Sequence, residues 1–457
     1  MYFDNKLRLE LLEAVKVLEL VPTQYKDYHP DSGSQVLDLV HPSLYCYVNG
    51  VSRILLPKQV AKYKDQFKNK DCDQYKALAN MYYLMGTGTH CDAYSMEQKM
   101  DGRFKKDYSF SEKYSWLPSE FKVDDEGKVQ IQSYINNLHP LKHKTLYYVI
   151  ERIFEQFVPM FNFVLNDVIN PRPYRVRDFD AYKWYPPEPD YHKINDNWED
   201  WEETKINHIQ IPKVIPFGRQ NTLYHTDIQP WFDCKGKTLQ VIVKLANIEL
   251  TPESPEYKGG SWHIEGMKNE NIMASGIYYY ESENISESLL SFRRAIREPK
   301  YEQNDDEGID MVYGMRDGSK LNEFLGSIIT QTGRAICFQN LFQHQVQPFK
   351  LIDPTKPGHR KILVFFLVDP TQPILSTLHV PPQQSKDYHY LLLFHPAGLV
   401  LTGSPKVINE MICEYIDFPM SLEEAKEHRI ELMNERKEFI IENNKEIYLR
   451  NFSLCEH

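Results

Sequence analysis

His263 and Glu265 stand two residues apart in GGSWHIEGM, residues 259–267. In extended chain that spacing projects both side chains from one face. His344 follows a short apolar run in CFQNLFQHQVQPF, 337–349, and Arg360 heads the apolar stretch of PGHRKILVFFLVDP, 357–370. Two imidazoles and one carboxylate can hold an octahedral metal and leave three positions open, a set suited to non-haem Fe(II) and O₂. An arginine 16 residues after the second histidine offers a planar fork for a carboxylate. The constellation therefore reads as an oxygenase site, with Fe(II) on His263, Glu265 and His344 and 2-oxoglutarate on Arg360. Each histidine alone reads first as a satisfied core or surface group, and Arg360 alone as half of a rim salt bridge; the combination makes the site. A competing H-x-D lies upstream, His225 and Asp227 in YHTD.

These groups need a rigid frame. Residues 238–250, TLQVIVKLANIEL, alternate with Leu239, Val241, Val243 and Leu245 inward, and 271–280, 334–339 and 360–368 read as further strands. Short strands with no periodic helices between them point to an antiparallel sandwich or jelly roll. The segment 281–326 reads as an insert long enough to act as a lid. Upstream, Leu7, Leu11, Ala14, Val15 and Leu18 make one stripe of a helix over 5–20, and Pro22 ends it. Residues 41–55 read as two short strands about an Asn49-Gly50 turn, 58–85 as helical, and 116–140 as extended runs about Glu126-Gly127. A long helix over 143–169 carries Leu146, Ile150, Ile153, Phe157, Phe161, Val164 and Val168 on one face, with a kink expected at Pro159. Residues 170–236 read as an irregular excursion. Ser421 and Glu424 form a capping box for a charged helix running towards 445. Tyr278, Tyr279 and Tyr280 read first as strand fillers.

Composition bounds the rest. The 457 residues carry a formal charge of −11, which excludes a dedicated nucleic-acid binder, because neutralising phosphates needs a basic surface. The seven cysteines include no C-x-x-C, so a structural zinc site is not expected and reduced thiols are. The N-terminus interrupts its apolar run with acids, unlike a secretory leader, and no stretch reaches membrane-spanning length. A soluble protein of the cytosol, or of the nucleus, is expected.

Several segments carry a family likeness. GRAICFQN, LFQHQVQPF and PGHRKILVFFLVDP resemble the C-terminal half of 2-oxoglutarate/Fe(II) oxygenases of the prolyl-hydroxylase type. SYINNLHP, LQVIVKLANIELTP, GGSWHIEGM, SGIYYYESENISES, YEQND and GHRKILVFFLVDPT resemble an uncharacterised, mainly fungal family, domain of unknown function 4246, from HPSLY to about VPPQQ at 380–384. The resemblance implies a mainly β protein with flanking helices around a double-stranded β-helix (a jelly-roll, cupin-like core). It also implies iron at His263, Glu265 and His344, and 2-oxoglutarate at Arg360. Glu265 departs from the superfamily's commoner Asp and sets the carboxylate one methylene further out. The division expected is a helical N-terminal region 1–236, a catalytic core 237–385 and a C-terminal extension 386–457. The expected reaction is hydroxylation or demethylation of a small molecule or peptide. Two alternatives are a metal-binding cupin-like protein without 2-oxoglutarate and an inactive jelly-roll scaffold.

Overall fold

A computed structural model describes residues 1–69, 72–90, 107–169, 184–185, 205–211, 232–301, 305–384, 407–408, 411 and 420–454. The rival pair His225 and Asp227, and most of the excursion 170–236, lie outside the described residues. In chain order the regular elements are α1 (Asn5–Glu19), β1 (Val36–Val40), β2 (Tyr47–Val48), β3 (Arg53–Ile54), α2 (Pro57–Asp65), α3 (Gln74–Ala79) and β4 (Thr89–His90). Then come β5 (Tyr114–Ser115), β6 (Ser119–Val123), β7 (Val129–Ile131), α4 (Lys144–Ile169), β8 (Thr238–Leu250), β9 (Glu256–Tyr257), β10 (Ile272–Glu283) and β11 (Leu289–Ala295). The series closes with α5 (Asp306–Tyr313), β12 (Asn322–Ile329), β13 (Arg334–Gln339), β14 (Gln343–Val346), β15 (Phe349–Lys350), β16 (Gly358–Val368) and α6 (Leu422–Asn443).

The chain divides into two compact units. The first comprises 1–165, 232–292 and 327–440; the second comprises 166–231, 293–326 and 441–457. In the second, Trp184, Ile309, Val312, Leu321, Phe452 and Leu454 form a small core, and the Trp184 indole donates to Asp305 at 3.1 Å.

The first unit is a mainly β, sheet-rich core with flanking helices. Its large sheet runs β13–β10–β16–β8–β6–β7, with β1 also paired to β8. A smaller sheet runs β12–β11–β14. Among the described residues no ladder closes the two into a barrel. The antiparallel register sets Lys244 opposite Val364 and Ile248 opposite Arg360, and Val364 opposite Ile277. One face of the large sheet packs beneath helices: Leu239, Val241, Val243, Leu245, Leu363, Phe365 and Leu367 share a core with Leu7 and Leu11 of α1 and Ile150, Phe157 and Phe161 of α4. Bracing by the two expected helices is thus observed. Gly276 on β10 makes room for α4, since a Cβ there would stand 2.8 Å from Phe157. The opposite face meets the small sheet: Ile242, Ile277, Tyr279, Val364 and Phe366 pack with Leu290, Phe292, Phe342 and Val346.

Several local expectations hold. Strands 238–250 and 334–339 keep their predicted bounds. Gly127, at φ 89°, turns β6 into β7, which pair antiparallel. Ser421 and Glu424 exchange the hydrogen bonds of a capping box at 2.7 and 3.2 Å. Three expectations change. The 41–55 hairpin does not form: β2 pairs with β5 and β3 with β4. The Val48 carbonyl accepts from both Val51 and Ser52, so the turn is wider than a two-residue loop and leads the chain away from itself. The segment 281–326 is no mere insertion, since it supplies β11 and part of β12. The alternating residues of β8 expected inward face the helices, and the residues between them line the space between the sheets.

Candidate metal centre

The chain around His263 lies against β14. Gly260 N–H donates to the Val346 carbonyl at 2.9 Å, and His263 and His344 exchange backbone hydrogen bonds at 3.2 and 3.0 Å. This pairing brings together two histidines 81 residues apart in sequence. Gly259 permits it: its φ is +88°, and a Cβ there would stand 2.9 Å from the Val346 carbonyl oxygen. Beyond His263 the chain bends, and Asn340 holds the bend. Asn340 Oδ1 accepts from Glu265 N–H at 2.9 Å, while its amide nitrogen donates to the carbonyls of Glu265 at 2.8 Å and Ile272 at 3.1 Å. Sequence reasoning assigned Asn340 no role; an Asn after a strand gives no signal that separates a clamp from an ordinary turn residue.

The three side chains converge. Glu265 Oε1 lies 3.3 Å from His344 Nε2 and 3.8 Å from His263 Nε2. Donors about 2.1 Å from a shared ion stand about 3–4 Å apart, so the residues fit a single metal without rearranging the backbone. The ring of His263 is oriented for this: its Nδ1 meets the Ser261 carbonyl at 2.7 Å, which fixes the proton there and turns the Nε2 lone pair to the centre. His344 is buried, its ring packed on Phe338 at 5.0 Å and Phe292 at 6.4 Å. Burial would raise the Glu265 pKa, but the two imidazoles outweigh it and hold the carboxyl well below its usual range. Burial likewise opposes charge on His263, yet Glu265 raises its pKa. His344, deeper and facing His263, is lowered by burial first and by that neighbour's charge second. The centre is thus a carboxylate between two imidazoles with solvent on one side.

Arg360 lies on β16 on the face that meets the small sheet, in alternation with Ile362, Val364 and Phe366. It is 2 % exposed. Its Nη1 donates to Ser288 Oγ at 2.9 Å, and its guanidinium carbon lies 5.6 Å from the Tyr279 ring and 5.4 Å from the Phe349 ring. Its Nε has no hydrogen-bond partner. The neighbours on the other side of the strand differ: His359 meets Glu281 at 2.8 Å, and Lys361 meets Glu281 at 2.8 Å and Glu19 at 3.1 Å. Among the described residues no carboxylate lies within ion-pair distance of Arg360. Among the described residues, then, the rim salt bridge does not form. Of the three tyrosines, Tyr279 is the one beneath the guanidinium. Ser288, unremarked in the sequence, is its hydrogen-bond partner.

Among the described residues no helix is long and apolar enough to cross a membrane. Solved structures show only remote likeness. A bsmA homologue from Methylobium petroleophilum PM1 is 12% identical over 29% of this chain and 42% of its own, at a TM-score of 0.20. IDO from Bacillus thuringiensis is 13% identical over 33% of this chain and 56% of its own, at 0.19; the chain spans about half the length of these two. An Fe(II)/(alpha)ketoglutarate-dependent dioxygenase, TqaL, is 11% identical over 80% of this chain and 90% of its own, at 0.22. No curated protein matches the sequence. A family model matches residues 1–389, and the chain belongs to that family, described as "Protein of unknown function (DUF4246)".

Proposed function

We propose that this protein is an Fe(II)/2-oxoglutarate-dependent oxygenase acting on a small molecule or peptide. The observation that carries the reading is a pair of mismatched sites between the sheets: a carboxylate between two imidazoles, and a buried guanidinium with no carboxylate within ion-pair distance among the described residues. A buried unpaired cation costs several kcal/mol, so a protein that keeps one is built to receive an anion. At the level of fold, what supports the reading is a sheet-rich core of two facing sheets with flanking helices; in this reading they are the halves of a double-stranded β-helix. His263, Glu265 and His344 are the ligands proposed for the metal, and their one-sided arrangement leaves coordination positions free.

When bound, Fe(II) with 2-oxoglutarate and O₂ supplies the oxidising chemistry for hydroxylation. The chain's own residues bind and orient. Arg360 would hold a carboxylate of the diacid with its fork, while Ser288 fixes one prong and Tyr279 and Phe349 flank the guanidinium. Asn340 keeps the Glu265 backbone in place, so the carboxylate meets the metal without a search through loop conformations.

The test is anaerobic titration of purified protein with Fe(II) and then 2-oxoglutarate, following the weak visible charge-transfer band of the chelate. One equivalent of each is expected, with the band lost in His344→Ala. A protein that takes up no iron refutes the metal assignment. Iron uptake with unaltered 2-oxoglutarate affinity in Arg360→Ala refutes the co-substrate assignment and favours the cupin-like alternative.

A further inference from the structure

The inward stripe of α6 carries two arginines. Ala425, Leu432 and Phe439 are buried, and Arg429 and Arg436 fall between them at helical spacing. Each guanidinium meets one acid from far along the chain. Arg429 holds Asp27 with both prongs, at 2.6 and 3.0 Å. Arg436 Nη2 donates to Glu270 Oε1 at 2.7 Å, and its guanidinium carbon lies 3.7 Å from the centroid of the Trp116 ring. This stretch of α6 and the loop that follows Glu265 belong to the same compact unit.

Glu270 is 0 % exposed, and three donors surround its carboxylate. Oε2 accepts the Met267 N–H at 2.7 Å, and Oε1 accepts the Trp116 N–H at 2.9 Å beside the Arg436 prong. Among the described residues Arg436 is the cation within ion-pair distance, so it offsets a charge taken wholly out of water. Met267 stands two residues beyond Glu265. Between them Gly266, at φ +69°, lets the chain close over the carboxylate, since a Cβ there would stand 3.2 Å from Glu270 Oε2. The loop that presents Glu265 is thus fastened at two points. Asn340 holds it through the Glu265 backbone, and Glu270 holds it through Met267. The first fastening comes with the sheet; the second needs the helix to balance its charge.

We propose that Arg436 is a positioning residue of the metal centre. Through Glu270 it sets the backbone from which Glu265 reaches the ion, so metal affinity depends on a helix that supplies none of the three ligands. The proposal rests on Glu265 being a metal ligand. Removing one partner of a buried ion pair leaves the other's charge uncompensated. Without Arg436 the Glu270 carboxylate turns towards water and releases the Met267 N–H, and the turn after Glu265 loosens.

The experiment titrates metal-free, full-length protein with Mn(II) by chelator competition and follows amide exchange at Met267. The parent should bind one equivalent of Mn(II), lost in His344→Ala. Arg436→Met should bind Mn(II) about tenfold more weakly or worse, with faster exchange at Met267. Arg436→Lys keeps the charge and should stay within about threefold of the parent. Arg429→Met removes the other ion pair of the same helix face, far from the loop, and should also stay within about threefold. If Arg436→Met does not fold, Arg436→Gln, which keeps a hydrogen-bond donor, replaces it under the same criteria. Mn(II) affinity in Arg436→Met within about twofold of the parent overturns the proposal. An equal loss in Arg429→Met overturns it too, because docking of α6 at large would then govern the site. So does an equal loss in Arg436→Lys, because the charge on Glu270 would then not be what matters. A parent that takes up no Mn(II) refutes the metal assignment itself, and this proposal with it.

Discussion

Replacing Arg360 by Met should move stability and co-substrate binding in opposite directions. In the ligand-free protein the guanidinium is 2 % exposed, has one hydrogen bond to a neutral hydroxyl and leaves its Nε without a partner. Exchanging an uncompensated buried charge for an apolar side chain of similar length is neutral or stabilising by about 1–4 kcal/mol. The contacts with Tyr279 and Phe349 offset part of that gain, because each exposed-to-buried cation–π contact is worth about 0.5–2 kcal/mol. The net expectation is a melting temperature unchanged or raised by a few degrees. For 2-oxoglutarate the sign reverses: losing a buried charge-assisted pair costs about 2–5 kcal/mol, a fall in affinity of about 30-fold to several thousand-fold. Differential scanning calorimetry on metal-free protein and isothermal titration of 2-oxoglutarate into Mn(II)-loaded protein read the two quantities separately. A variant that melts well below the parent yet binds 2-oxoglutarate equally well would show Arg360 to be a structural group, and the reasoning would be refuted.

Three further outcomes are expected. Asn340→Ala removes three hydrogen bonds about Glu265 and Ile272 and should lower metal affinity by about 10–100-fold, read by chelator competition; unaltered affinity would show that the sheet alone positions Glu265. Burial raises the Glu151 pKa to about 7 from 4.5, against the lowering effect of Ile131 N–H and Gln74. Its folded-state pKa lies above the unfolded one, so the stability it contributes is full below pH 4.5 and is lost as pH rises through 7, on the order of 3 kcal/mol. Glu151→Gln should flatten that slope in urea melts between pH 5 and 8, and an unchanged slope would place the titration elsewhere. Ser421→Ala should cost about 1 kcal/mol and speed amide exchange in the first turn of α6, Glu424 foremost; unchanged exchange there would deny the cap its role.

The strands that carry the site were legible because the pattern of β8, β10, β13 and β16 reports burial locally: Val241, Val243, Phe365 and Leu367 are apolar wherever the helices cover them. The three converging side chains were legible for a chemical reason, since few combinations of two histidines, a carboxylate and a strand-head arginine share that order. What escaped was set by distance in the chain. Nothing within residues 41–55 tells Tyr47–Val48 that its partner is Tyr114–Ser115, and a local Asn-Gly turn signal misleads when the strands are only two residues long. The β11 and β12 strands escaped because polar and charged residues interrupt them, as expected of a small sheet with one face in water. Asn340 and Ser288 escaped because a side chain that fastens backbone or another side chain leaves no periodic trace.

The pairing of β1 with β8 has a consequence for synthesis. Val36 meets Ile248, and β6 also docks on β8, Ser119 opposite Val241. At about 5–20 residues per second, β1 leaves the ribosome roughly 10–40 s before its partner exists. During that interval Leu37 and Val40, both buried in the finished protein, have no sheet to join, and the α1 stripe has no face to cover. The first half of the chain therefore keeps these apolar groups uncovered until residue 250 emerges, and a nascent chain stalled short of that point presents two bare strand edges to its neighbours.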